Sequence, residues 1–288
     1  PLLPAALKAK VPAHTDAGAR PTRSHPRKVI LPAGCVQPAM MPNVNSATAR
    51  VLAAEGCEVV IPREQGCCGA LAVHAGEDGA ARTQARRLMD VFGRHDLDAI
   101  VVNAAGCGSA MKEYGALFAA GNGHGHGGDD HEDAEDAARA TAFAARVQDV
   151  AEVLAALEPR ATRHPLKLRV AYHDPCHLQH AQGIRSAPRQ LLKAIPGLEI
   201  VEIADAALCC GSAGIYNLVQ PEAARDLGDR KARHVLATGA EAVVASNPGC
   251  DLQLTAALRR AGKPLPVLHL AEILDASFRN LAPEMLLR

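Results

Sequence analysis

Cysteines are the residues of this 288-residue chain best suited to chemistry, and eight of the nine fall into two copies of one pattern. Cys35, Cys67-Cys68 and Cys107 are separated by 31 and 38 residues, and Cys176, Cys209-Cys210 and Cys250 by 32 and 39. A glycine follows each vicinal pair, Gly69 in the first copy and Gly211 in the second. Corresponding cysteines are offset by 141 to 143 residues, the mark of an internal duplication. Cys57 alone has no counterpart and reads as a packing residue. In a chain without an export signal, such a set points to metal or redox chemistry and away from disulfides.

Three chemistries compete for a Cys…CysCysGly…Cys set. Structural zinc usually draws thiolates from C-x2-4-C hairpins, and a thiol–disulfide couple usually takes the form C-x-x-C; neither occurs. Neighbouring side chains in extended backbone point apart. Each vicinal pair therefore suits an object wider than one ion, an iron–sulfur cluster whose irons each take a thiolate. Gly34, Gly66, Gly69, Gly106, Gly108, Gly211 and Gly249 flank the sulfurs, where small residues let backbone N–H groups approach a cluster. His173, Asp174, His177 and His180 surround Cys176; loop histidines are ordinarily hydrogen-bonded, and these receive no ligand role.

The elements that must position the sulfurs repeat as well. Apolar runs at Lys28–Leu31 and Leu168–Tyr172 predict strands that end just before Cys35 and Cys176. Helices are expected from Ser46 to Glu55 and from Ser186 to Ile195, with the serines as caps. Second strands at Glu58–Ile61 and Leu198–Ile203 lead to the paired cysteines. A helix through Ala81, Ala85, Leu88, Met89 and Phe92 follows in one copy, and one opened by Pro221 in the other. Third strands at Ala99–Val102 and Ala242–Ala245 lead to Cys107 and Cys250. The expected fold is α/β: two pseudo-symmetric repeats, each a small parallel sheet with flanking helices and its four cysteines at the carboxyl edge, where parallel sheets hold ligands.

The expected organisation is a Pro-rich linker over 1–27, a first repeat over 28–120, a flexible His/Asp/Gly insert over 121–136 that buries nothing, a bridging helix over 137–160 and a second repeat over 161–288. His124, His126 and His131 in the insert are assigned no site. Lys and Arg number 31, as do Asp and Glu, which removes the electrostatic basis for binding nucleic acid. No run of 18 apolar residues and no leader-like start is present, so a cytoplasmic location is expected, with attachment at the inner face of the cell membrane as the alternative. No G-x-G-x-x-G follows a strand, so no nucleotide cofactor or catalytic residue is assigned.

The segments AGCVQPAMMPNVNSATARVL around Cys35, GCCGAL at Gly66, AAGCGSAMKEYG at Ala104, YHDPCHLQH at Tyr172 and LCCGSAGIYNLVQPE at Leu208 resemble the duplicated cysteine-rich CCG domains found in heterodisulfide reductase and in succinate dehydrogenase and glycolate oxidase relatives. They most resemble the iron–sulfur subunit of glycolate oxidase, and the likeness runs from about Arg27 to the C-terminus. It implies a non-flavin, electron-transferring oxidoreductase subunit, not catalytic alone. Such a subunit works beside FAD-binding subunits that oxidise glycolate and passes electrons toward a quinone or other respiratory-chain acceptor. It implies a [4Fe-4S] cluster on Cys35, Cys67, Cys68 and Cys107 and on Cys176, Cys209, Cys210 and Cys250, with zinc in one site as the alternative occupant. Relatives of this kind carry an N-terminal ferredoxin-like domain with C-x2-C-x2-C-x3-C-P runs; none occurs here, and the Pro-rich start is expected to be the tail of that connection. The wider family also ends each repeat in C-x-x-C, where this chain has Ala110 and Gln253, leaving four thiolates per repeat. The alternatives are a zinc-stabilised docking scaffold of the same complex, or a subunit of a lactate-oxidising or heterodisulfide-reductase-like complex.

Overall fold

The computed structural model describes residues 14–15, 28–119 and 130–287. Each half is built on four parallel strands. In the first, β2 (Lys28–Ile30) lies between β3 (Glu58–Val60) and β4 (Ala99–Val102), and β5 (Val147–Asp149) extends the sheet beyond β4. In the second, β6 (Leu168–Tyr172) lies between β7 (Leu198–Glu202) and β8 (Ala242–Ala245), with β9 (Val267–His269) beyond β8. A two-residue strand β1 (His14–Thr15) pairs antiparallel to β3. It falls in the expected linker, most of which lies outside the described residues.

Alternation along the central strands sends successive apolar side chains to opposite faces of each sheet, one facing a shared core and the other an outer core. Val29 and Val101, and Val170 and Val244 across the molecule, enter one shared core that joins both halves. Ile30, Ile100 and Val102 face a first outer core, while Ala171 and Val243 face a second. Helices Pro42–Ala54, Val150–Ala156, Ser186–Lys193 and Leu270–Phe278 contribute to the shared core between the sheets. Helices such as Asp78–Gly93 and Pro248–Arg260 cover the outer faces. Each Val or Leu buried this way contributes about 1.5–3 kcal/mol, and the shared core packs the two repeats against each other.

Several boundaries differ from the sequence reading. The helix expected from Ser46 begins at Pro42, whose ring fits the first helical turn, and Ser46 is buried mid-helix. Ser186 is the first helical residue and Arg185 the cap. The expected bridging helix over 137–160 is broken: a helix Asp130–Ala144 ends, β5 pairs with β4, and a second helix Val150–Ala156 follows. Val147, Val150 and Leu154 satisfy a helical period, but Val147 instead completes the pairing along β4. The insert is also more structured than expected. Residues 120–129 lie outside the described residues, yet Asp136 is buried, paired to Arg86 and, at 3.2 Å, to Arg139.

The fourth strands end in matching capping boxes, Asp149 with Glu152 and His269 with Glu272. Asp149 accepts from the Ala151 N–H at 2.8 Å, and His269 Nδ1 accepts from the Ala271 N–H at 3.0 Å. His269 Nε2–H donates to the Asn103 carbonyl at 2.8 Å, tying the second half to the first. Burial pushes the Asp149 carboxyl up to about 7 and the His269 imidazole down to about 4. The two then act oppositely between pH 4 and 6.5: native Asp149 holds a proton that its unfolded form releases, and native His269 lacks a proton that its unfolded form binds. Asp149→Asn, which can still cap, removes one side of this balance. Relative to the parent chain, its stability should rise with pH across that window by up to roughly 1.4 kcal/mol per pH unit, measured by urea unfolding at each pH. An unchanged pH profile would show that Asp149 is ionised in the native protein.

Candidate metal centres

Every cysteine of the two repeats follows a strand, and the fold gathers each set of four. In the first half Cys35 Sγ lies 3.4 Å from Cys67 Sγ, Cys67 adjoins Cys68, and Cys68 adjoins Cys107. In the second, the same chain of contacts runs from Cys176 through Cys209 and Cys210 to Cys250. All nine cysteines are free thiols, and Cys57 lies apart, buried near Glu55 and Arg160 with its thiol pushed up to about 11.

The turn after each vicinal pair explains its glycine. Gly69 and Gly211 have φ of +85° and +92°, a left-handed conformation that L side chains rarely adopt. In that conformation the Gly69 N–H points at Cys67 Sγ, 3.5 Å away, and the Gly211 N–H at Cys209 Sγ, 3.3 Å away. Hydrogen bonds from the thiols of Cys35 and Cys176, then those of Cys68 and Cys210, and to a lesser extent these N–H groups, favour the thiolate at Cys67 and Cys209 and push both below the usual thiol range. The partners Cys35 and Cys176 are raised in turn.

Supports around the sulfurs differ between the halves. The approach to Cys35 rests on neutral amides: Asn45 donates to the Ala33 carbonyl at 2.8 Å, Gln65 accepts from the Ala33 N–H at 2.8 Å, and Asn103 joins Asn45 to Thr48. The approach to Cys176 rests on ions. Arg189 grips Asp174 in a two-point pair at 2.8 and 2.7 Å, reaches Glu202, and lies 4.7 Å from the centre of the Tyr172 ring. Lys231, fully buried, donates to the carbonyls of Asp205 and Ala206 at 3.0 Å and so fixes the loop before Cys209. Tyr114 donates to the Cys68 carbonyl at 2.6 Å, anchoring the first pair from behind.

The two centres approach each other at the facing sheet edges. Ala105 N–H donates to the Ser246 carbonyl, and Asn247 spans from the last cysteine of the second set to the backbone beside the last cysteine of the first: its Oδ1 accepts from the Gly106 N–H at 3.0 Å while its Nδ2 donates to Cys250 Sγ at 3.5 Å. A cavity of about 300 Å³ opens over Cys35, Cys67, Cys68 and Cys107, walled on the far side by Gly214, Ile215 and Leu218 of the second half. His74 and His177 meet edge to face in it, 5.5 Å apart. The second centre is more enclosed, with Cys210 and Cys250 only 1% and 2% exposed.

The duplicated cysteine pattern is matched by a known domain: residues 29–112 and 170–255 both fit the cysteine-rich CCG domain. The chain belongs to that family. Among relatives, it is 38% identical over 252 residues to the probable glycolate oxidase iron–sulfur subunit of Bacillus subtilis, covering 86% of this chain and 54% of that protein. It is 38% identical over 288 residues to the glycolate oxidase iron–sulfur subunit of Escherichia coli, covering 97% and 65%. The chain thus spans less than two thirds of either relative. Lactate utilization protein A of an Exiguobacterium strain is 29% identical, with 85% of this chain and 96% of that protein covered. A crystal structure of a hypothetical protein from Helicobacter pylori aligns with a TM-score of 0.59 at 9% identity, over 90% of this chain and 51% of that one, a likeness of fold.

One residue beside the sulfurs escaped the sequence reading. His173 is 1% exposed, and one of its ring nitrogens and the sulfurs of Cys210 and Cys250 lie within 4.8 Å of one another. The available signal was its place directly after a strand, three residues before Cys176, where the first copy has Pro32.

Gly211 and Gly34 separate close approach from conformation. A Cβ on Gly211 would sit 2.3 Å from the Ala224 carbonyl oxygen, whereas one on Gly34, at φ +76°, would meet nothing within 4 Å. Gly34→Ala should cost about 1–2 kcal/mol from backbone strain alone, and Gly211→Ala clearly more, read as unfolding midpoints in urea. Equal costs would show that the CysCysGly turn yields without displacing the Pro221–Ala237 helix.

Proposed function

We propose that the chain is the iron–sulfur, electron-transferring part of a flavin-dependent complex oxidising a 2-hydroxy acid, glycolate in the first instance, with both cysteine sets as cluster sites. The observation that carries this reading is the gathering of two four-thiol sets at facing sheet edges in a chain with no nucleotide fingerprint. The donor sets fit the group: four cysteine thiols lie at each place, and backbone N–H groups already point at sulfur. Iron–sulfur clusters of the [4Fe-4S] type supply one-electron storage at potentials set by their ligands, surrounding hydrogen bonds and solvent exposure.

The chain's own residues supply what such centres need. Cys35, Cys67, Cys68 and Cys107 hold one, and Cys176, Cys209, Cys210 and Cys250 the other. Gly69, Gly211 and Asn247 donate to sulfur and so favour the more negative, reduced state. Lys231 and Arg189 keep positive charge close to the second set. The open cavity over the first set and the enclosure of the second give them different access to solvent. FAD belongs to the partner subunits, and a quinone or other respiratory-chain carrier is the acceptor. A ferredoxin-like domain completes the subunit, in keeping with the longer relatives. Among the described residues no helix is long and apolar enough to cross a membrane; the reading places the subunit in the cytoplasm, with any contact at the membrane peripheral.

Ligation and packing make opposite demands of two buried cysteines. Cys210→Ser should lower bound iron and electron delivery, while Cys57→Ser leaves both nearly unchanged; equal losses would mean that packing had been mistaken for ligation. Division of labour gives a kinetic test. The isolated chain should not oxidise glycolate, because two-electron removal from a hydroxy acid needs the flavin. In the assembled complex, Cys67→Ser with Cys209→Ser should abolish delivery to the acceptor yet leave flavin bleaching by glycolate intact in stopped flow. Collapse of flavin reduction itself would place these residues in substrate chemistry.

A further inference from the structure

The two centres differ in their donors. His173 directly follows β6, its backbone N–H fixed to the Val244 carbonyl at 2.9 Å, and its side chain is buried against Cys250. Neither ring nitrogen has a hydrogen-bond partner in acceptable geometry, an arrangement that is destabilising for a polar group held away from water. A metal ion removes that cost at the nitrogen it binds, since neutral imidazole is a strong nitrogen donor toward zinc, cobalt and iron. The surroundings are those of a metal site. Among the described residues, His173, Cys210 and Cys250 form the one group of three potential ligands whose donor atoms all fall within 4.8 Å of one another, all three buried. Such a spacing lets three donors converge on a single metal atom. Pro32 occupies the equivalent position beside the first set and offers no donor.

We infer that the second set can hold a single metal ion, bound through a ring nitrogen of His173 and the sulfurs of Cys210 and Cys250, in place of a cluster whose irons each take one thiolate. The first centre is then held by sulfur alone, and the second by sulfur and nitrogen. Binding requires Cys210 and Cys250 to release their thiol protons to solvent, while imidazole enters neutral. The inference rests on reading the second cysteine set as a metal centre and not on which metal fills it.

Cobalt(II) probes ligation without requiring a cluster to form. The full chain carrying Cys35→Ser and Cys67→Ser, which disables the first set, is prepared metal-free with 15N-labelled histidine and titrated anaerobically with Co²⁺. Pulsed EPR of the bound Co²⁺ should show a directly coordinated histidine nitrogen together with the visible sulfur-to-cobalt charge-transfer band. His173→Ala should abolish the nitrogen coupling and weaken Co²⁺ binding at least about tenfold, while His177→Ala and His180→Ala keep both. Should His173→Ala fail to fold, His173→Cys places a thiolate at the same position and should bind Co²⁺ with the nitrogen coupling gone. Co²⁺ bound by sulfur alone in the histidine-containing protein, a coupling that survives removal of His173, or no Co²⁺ binding would each overturn the inference. Iron and sulfide uptake by the unmutated chain is a separate measurement, so the cluster reading can fail while His173 ligation stands.

Discussion

Sulfur atoms from three distant stretches of chain must arrive at one point, and the carboxyl edge of a parallel sheet is the device that brings them there. In each half the central strand delivers the first cysteine, one neighbour delivers the vicinal pair, and the other neighbour leads into the helix that carries the last. Parallel pairing forces all three loops onto one edge. The rest of the molecule serves that geometry. The shared core locks the sheets together, the left-handed glycines turn the vicinal pairs, and the networks around Asn45 and Arg189 hold the loops before the first cysteine of each set.

Duplication sets the plan, and divergence sets the differences between the two sites. The same turn and the same N–H to sulfur contact occur twice, but neutral amides support the first site and buried charges the second. Loss of one member of either network leaves a buried polar group without its partner, at about 1–3 kcal/mol for a neutral group and more for a charged one. Asn247 links the halves beside both sites, touching Cys250 through one side-chain atom and the backbone next to Cys107 through the other.

Much of this was legible in the sequence. Ala99–Val102 and Ala242–Ala245 are strands at the bounds expected, because four apolar residues buried on both faces leave no competing period. The eight repeat cysteines come together as their spacing required, while Cys57 stays apart. What escaped was short or ambiguous. β5 and β9 have three residues each and run directly into helices, so their apolar residues merge with a helical period. A second echo would have revealed them: Val147-Gln148-Asp149-Val150-Ala151-Glu152 answers Val267-Leu268-His269-Leu270-Ala271-Glu272, at an offset of 120 instead of 141 to 143 because the first copy carries the longer insertion. The start at Pro42 was hidden because a capping serine and a mid-helix serine look alike until the turn before them is known. His173 was hidden among neighbouring loop histidines, and only the fold distinguishes an unpartnered imidazole facing two sulfurs from a solvated one.

Under the proposed function, the thiols collected at the two sheet edges hold iron–sulfur clusters. Mössbauer spectroscopy of the anaerobically purified, 57Fe-enriched chain, with acid-labile sulfide and zinc determined on the same sample, tests it most directly. Iron in tetrahedral sulfur surroundings, accompanied by sulfide in equal amount, is the expected result. Zinc without sulfide at both sets would contradict it and leave these cysteines a structural role.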